Sequence, residues 1–278
     1  MKIGEVQRDV REVGPSPERP ATRGCYRRLV VVVRDGGALP VMSVDYADAW
    51  AMPDAVAVVA VLPDAASGTD GAGQGGGGVC RPDIATADAV RCALLARGVD
   101  AGASYALQLA AGANAAQSIG EMAHRWGADL VLCDDRSIAH LAQAAACNVL
   151  FVPTDQSRRY CIPPRRIFVA SDDSASALCA VTEARRLAGE HAQLRRAYLS
   201  FDAESAPPTD AATIVLAAAR NSDNLAHAIV QAAGEWSADL LIMGTHSTAA
   251  QAVWRYGSVG AAVALVAEMP LLLVVGKS

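Results

Sequence analysis

Short apolar runs recur along the chain, separated by longer segments of mixed character. In the first half Leu29 to Val33, Ala55 to Leu62, Ser104 to Leu109, Asp129 to Cys133 and Val149 to Val152 are brief and largely continuous. That is the pattern of strands buried on both faces of a parallel sheet. Helical mixtures fall between them at Val44 to Trp50, Ile84 to Ala96 and Ala115 to Trp126. The second half repeats the alternation, with strands near Ile167 to Ala170, Ala197 to Phe201, Thr213 to Leu216, Leu240 to Met243 and Leu271 to Val275. Its helices are predicted at about Ala175 to Ala188, Asp223 to Trp236 and Ser258 to Ala267. Alternating strands and helices predict doubly wound α/β sheets. Between Phe201 and Thr213 too few residues remain for a helical crossover, and they include Pro207-Pro208, so an irregular connection is expected there.

The two halves are copies of one unit. Arg27-Arg-Leu-Val-Val-Val-Val-Arg34-Asp35 aligns with Arg165-Arg-Ile-Phe-Val-Ala-Ser-Asp172-Asp173 at an offset of 138. Asn114 through Trp126-Gly-Ala-Asp-Leu-Val-Leu aligns with Asn224 through Trp236-Ser-Ala-Asp-Leu-Leu-Ile at an offset of 110, and Cys147 to Pro153 aligns with Met269 to Val275 at 122. The first half is therefore longer before its fourth strand and shorter after it. The apolar last strands, Val149 to Val152 and Leu271 to Val275, would be exposed edges in separate sheets, and such edges tend to be covered.

The chemistry concentrates after the fourth strand of the second half. Ala238-Asp-Leu-Leu-Ile242 runs into Met243-Gly244-Thr-His246-Ser247, nine residues follow, and then come Gly257-Ser258-Val259. A strand that ends in a small-residue loop before a helix start gathers free backbone N–H groups, which suits a phosphate. This segment resembles the C-terminal signature of the universal stress protein family, in which Gly, two residues, Gly, nine residues, Gly and Ser/Thr wrap a triphosphate. Gly244, Gly257 and Ser258 match, whereas Ser247 replaces the second glycine. Arg166-Ile-Phe-Val-Ala-Ser171-Asp172 resembles the family's first strand and its acidic end. The resemblance spans about residues 26 to 276. It implies two tandem flavodoxin-like (adenine nucleotide alpha hydrolase-like) five-stranded parallel sheets packed as a pseudo-dimer.

The resemblance further implies a nucleotide site of Ser171, Asp172, Leu199, Met243, Gly244, His246, Ser247, Gly257, Ser258 and Val259. Asp172 would accept from the adenine amino group. Gly244 would let the chain approach the ribose and phosphates, and N–H groups around Ser247, Gly257 and Ser258 would bind phosphate oxygens. The ligand expected is ATP or AMP with Mg²⁺, acting as a switch on contacts with an unidentified protein partner in a stress response. Asp172 and Ser174 would also serve as ordinary caps for the following helix. The other reading is a scaffold that binds no nucleotide, with Ser247 marking a dead site and the short segment after Phe201 favouring it. In the first half Arg34 stands where Asp172 stands, and Cys133-Asp134-Asp135 replaces the glycine loop with carboxylates that repel a polyphosphate. That half reads as a degenerate copy.

Composition narrows the field. With 24 basic against 29 acidic residues the formal charge is −5, which speaks against a nucleic-acid surface. No apolar run approaches the length of a membrane span. Residues 1–24 read as a flexible tail, 25–154 and 165–278 as the two domains, and 155–164 as a basic linker. The Gly75 to Gly78 run lacks a following helix start and reads as a surface loop. Seven cysteines without a Cys-x-x-Cys pair suggest a reducing cytoplasm and no zinc site. The five histidines fall on unrelated elements, so no catalytic set emerges and no enzyme activity is expected. Beyond the pseudo-dimer within one chain, a homodimer is the assembly left open.

Overall fold

The computed structural model describes residues 24–63, 84–106, 114–135, 139–154, 158–200, 213–217, 222–245 and 259–276. The first half comprises β1 (Tyr26–Arg34), α1 (Val41–Trp50), β2 (Ala51–Leu62), α2 (Ile84–Leu95), β3 (Asp100–Ala106), α3 (Ala115–Trp126), β4 (Leu130–Cys133), α4 (Leu141–Ala144) and β5 (Asn148–Phe151). The second comprises β6 (Arg166–Ser171), α5 (Ala175–Leu187), β7 (Gln193–Ser200), β8 (Thr213–Ala217), α6 (Ser222–Glu235), β9 (Leu240–Thr245), α7 (Val259–Val266) and β10 (Leu271–Val275).

All ten strands form one sheet in the order β3-β2-β1-β4-β5-β10-β9-β6-β7-β8. Each half is a parallel five-stranded sheet with its first strand central. The halves meet where β5 and β10 pair antiparallel, with Phe151, Leu150 and Val149 opposite Leu271, Leu272 and Leu273. The two apolar edges that the sequence predicts thus cover each other, and the pseudo-dimer is a single continuous sheet. Alternate residues of each strand enter opposite layers. Val30, Val32, Val131, Phe151, Leu241 and Leu271 belong to one core and Leu29, Val31, Leu130, Leu150, Ile242 and Leu272 to the other. With both faces covered there is no polar face to alternate with, so the runs read as continuous.

The repeated Trp-x-x-Asp has a structural reason. Asp129 Oδ2 accepts from the N–H groups of Arg27 and Arg28 at 2.9 and 3.0 Å. Asp239 Oδ2 accepts from Arg165 and Arg166 at 3.0 and 2.9 Å. Each carboxylate ties the start of its half's fourth strand to the start of its first. Above it, Arg28 and Arg166 lie over the Trp126 and Trp236 rings and donate to the same tryptophans' carbonyls.

The structure moves some predicted boundaries. Strand β7 begins at Gln193, ahead of the expected Ala197, because its arginines have partners: Arg195 stacks on Trp236 at 4.9 Å and Arg196 pairs with Asp173. Strand β3 begins at Asp100, ahead of the expected Ser104, and is described to Ala106; the expected end at Leu109 lies outside the described residues. The four-residue α4 is an element with no counterpart in the sequence reading. Linker residue Arg158 is packed, its guanidinium donating to the Ser237 carbonyl at 2.8 Å. The Gly75 to Gly78 run, the 1–23 part of the tail and residues 155–157 of the linker lie outside the described residues.

Candidate functional site

In an open α/β sheet the ligand crevice lies at the carboxyl ends of the strands, where successive crossovers reverse direction. This chain has two such points, between β6 and β9 and between β1 and β4. In the second half Ala170 is level with Met243, so Ser171 and Gly244 emerge side by side. Ser171 is buried, and its Oγ accepts from the Asp173 N–H and the Arg196 guanidinium, both at 3.3 Å. Asp172 is exposed, and its Oδ1 accepts from the Ser174 N–H at 3.1 Å. Asp173 takes a left-handed turn conformation at φ 60°, which aspartate tolerates, and pairs with Arg196. Ser174 caps α5 by accepting from the Ala177 N–H at 3.3 Å.

Gly244 has a packing role that its motif does not reveal. A Cβ there would lie 2.3 Å from the Ser176 carbonyl carbon and oxygen and 2.6 Å from the Ala177 nitrogen. The first turn of α5 therefore rests directly on β9, and only glycine permits that approach. Met243 and Leu199 are core side chains at 4% and 6% exposure, leaving their backbone as the part able to meet a ligand. Val259 opens α7. The described residues bring Ser171, Asp172 and Gly244 together. His246, Ser247, Gly257 and Ser258 lie outside them.

The first-half crevice is built differently. By the repeat offsets, Arg34 takes the place of Asp172, Asp134 that of Gly244 and Asp135 that of Thr245. Arg34 and Asp135 form an ion pair across the crevice. Residues 35–40 separate β1 from α1, where residues 172–174 suffice between β6 and α5. The longer turn leaves a cavity of about 670 Å³ between α1 and the ends of β1, β4 and β5. Burial pushes the Asp134 carboxyl up from its ordinary value and the Cys133 thiol well up. The sequence signal for this opening is an aspartate at the position where the copy needs glycine.

Other groups bind the halves together at the seam. Tyr26 donates to the Glu183 carboxylate, which also accepts from Asn148 Nδ2 at 3.2 Å and pairs with Arg186. Arg186 donates to the Cys25 carbonyl at 2.6 Å, and Asn148 Oδ1 accepts from the Val275 N–H at 3.2 Å. Among the described residues no group of three or more His, Cys, Asp or Glu comes together to hold a metal, and no helix is long and apolar enough to cross a membrane.

Comparison with known proteins agrees with this architecture. Residues 209–275 match the model of the universal stress protein family. No curated protein matches the chain. Among solved structures, a protein from Pseudomonas aeruginosa UCBPP-PA14 described as a universal stress protein is similar at a TM-score of 0.62 and 14% identity, over 90% of this chain and 93% of that one. A universal stress protein from Archaeoglobus fulgidus DSM 4304 is similar at a TM-score of 0.55 and 12% identity, over 90% and 97%. Residues 209–275 thus resemble the universal stress protein family, and over nine-tenths of its length the chain shares its fold with solved structures described as universal stress proteins.

Proposed function

We propose that this protein is a stress-response module whose second half binds an adenine nucleotide and whose loaded state governs contact with a protein partner, without turnover. The observation that carries this is the meeting of Ser171, Asp172 and Gly244 at the open ends of β6 and β9, inside the crevice where such sheets take ligands. Asp172 spends one carboxylate oxygen on the Ser174 cap, and the other is the acceptor for the adenine amino group. The Gly244 backbone would lie beside the ribose, and N–H groups around Ser247, Gly257, Ser258 and Val259 would hold the phosphates. Magnesium arrives on the phosphates of ATP.

A specific observation favours the scaffold reading as its rival. The turn bond from the Ser174 N–H explains Asp172 and helix packing explains Gly244, so neither identity requires a ligand. Isothermal titration with ATP, ADP and AMP in Mg²⁺ separates the two, using Asp172→Ala beside Ser174→Ala, which removes a cap alone. Nucleotide binding weakened at least about tenfold by Asp172→Ala, a loss of about 1.4 kcal/mol, and retained in Ser174→Ala supports the switch. No heat and no thermal stabilisation at millimolar nucleotide leaves the scaffold.

A further inference from the structure

The first-half cavity holds features that neither the fold nor the second-half site accounts for. Asp134, Asp135 and Arg34 line it, with Leu39, Met42 and Val152 among its apolar walls. Arg34 is committed to Asp135. No ion pair reaches Asp134 among the described residues. Two carboxylates against one guanidinium leave the lining net negative. The start of α1 opens here with Pro40 at its cap position and no capping side chain. Its partial charge, about half a unit, does not reverse that sign.

A second observation points to an occupant. Ser43, at 1% exposure, lines the same cavity, and its hydroxyl has no hydrogen-bond partner among the described residues. A buried hydroxyl left unpaired costs stability that a ligand's polar group would restore. The volume of about 670 Å³ falls within the range of small-molecule sites.

We infer that this cavity is a binding site for a small organic cation, an ammonium or amidinium group carried on an apolar body and bearing no phosphate. The cation meets the Asp134 carboxylate, the body lies against Leu39, Met42 and Val152, and Ser43 takes the remaining polar atom. The Arg34–Asp135 pair forms the polar rim. Phosphate esters are refused because Asp134 occupies the place of Gly244. The site is therefore opposite in charge preference to the one proposed in the second half and independent of it.

The test is ligand-observed NMR and titration of the full chain with benzamidine, tryptamine and phenethylamine, with AMP as competitor. The expected result is saturable binding of at least one amine or amidine that AMP does not displace. Asp134→Asn should weaken it at least about tenfold while Asp134→Glu retains it, with cooperative melting transitions showing that both variants are folded. Asp172→Ala should leave it unaltered, which separates this site from the nucleotide site. Absence of binding by all three probes, displacement by AMP, or equal affinity in Asp134→Asn would each overturn the inference.

Discussion

The two crevices of this sheet start from the same repeat and end in opposite states. Between β6 and β9, a three-residue turn sets α5 down on the backbone of Gly244. Between β1 and β4, six residues and an aspartate at the equivalent position leave α1 standing off a cavity. One side-chain choice at the end of the fourth strand thus goes with a closed helix contact or an open pocket. A glycine in such a motif reports helix packing as well as ligand approach, and the two causes have to be separated by experiment.

The contrast can be broken most forcefully at Gly244. A valine there collides with backbone atoms that have no rotamer to yield, so Gly244→Val should cost at least about 3 kcal/mol by urea denaturation. Asp134→Val at the matching first-half position should cost less than about 1 kcal/mol. Comparable losses at both positions would refute the difference in packing.

The paired carboxylates at the start of the fourth strands offer a subtler comparison. Asp239 is 5% exposed and accepts three backbone N–H groups, Cys161 being the third at 3.3 Å. Asp129 accepts two. Removing the buried Asp239 strands its donors, so Asp239→Ala should cost about 2.5 kcal/mol, whereas water can reach the donors of the exposed Asp129 and Asp129→Ala should cost no more than about 1 kcal/mol. Thermal melts that rank them the other way would argue against burial and donor count as the cause.

At the seam, Tyr26→Phe removes one donor from the shared Glu183 carboxylate and should cost about 1.5 kcal/mol. The smallest effect concerns Asp134. Its folded carboxyl sits above the ordinary aspartate value of about 3.9 because burial disfavours the charge. Ionisation therefore works against folding, and stability declines as pH rises through that range. Asp134→Asn should stabilise the protein at pH 7 by no more than about 0.5 kcal/mol, since solvent screens this partly exposed group. The gain should vanish in melts below about pH 4.

Much of the fold is legible in the sequence because parallel strands buried on both faces leave continuous apolar runs, and because the copied Trp-x-x-Asp aligns the halves. Arg195 and Arg196 hid the start of β7, since the stacking and ion pair that shelter them come from distant elements. Helix α4 is a single turn, too short to show a period. The seam cluster stayed invisible because Tyr26 and Glu183 lie 157 residues apart and neither belongs to a repeated motif. Asp172 and Gly244 were readable as residues at the carboxyl ends of β6 and β9, where the crossovers reverse. Of the first-half cavity only the aspartate in place of glycine showed, because a turn three residues longer changes where a helix begins without changing its pattern.

The β5–β10 seam has a consequence for symmetry. In a dimer of identical chains, each substitution is made twice and both crevices must change together. Here the dyad joins halves encoded separately, while the covalent link keeps them at high effective concentration without any choice of partner. Each crevice can then be altered alone, so one scaffold can carry two unlike receptors and report on their combination.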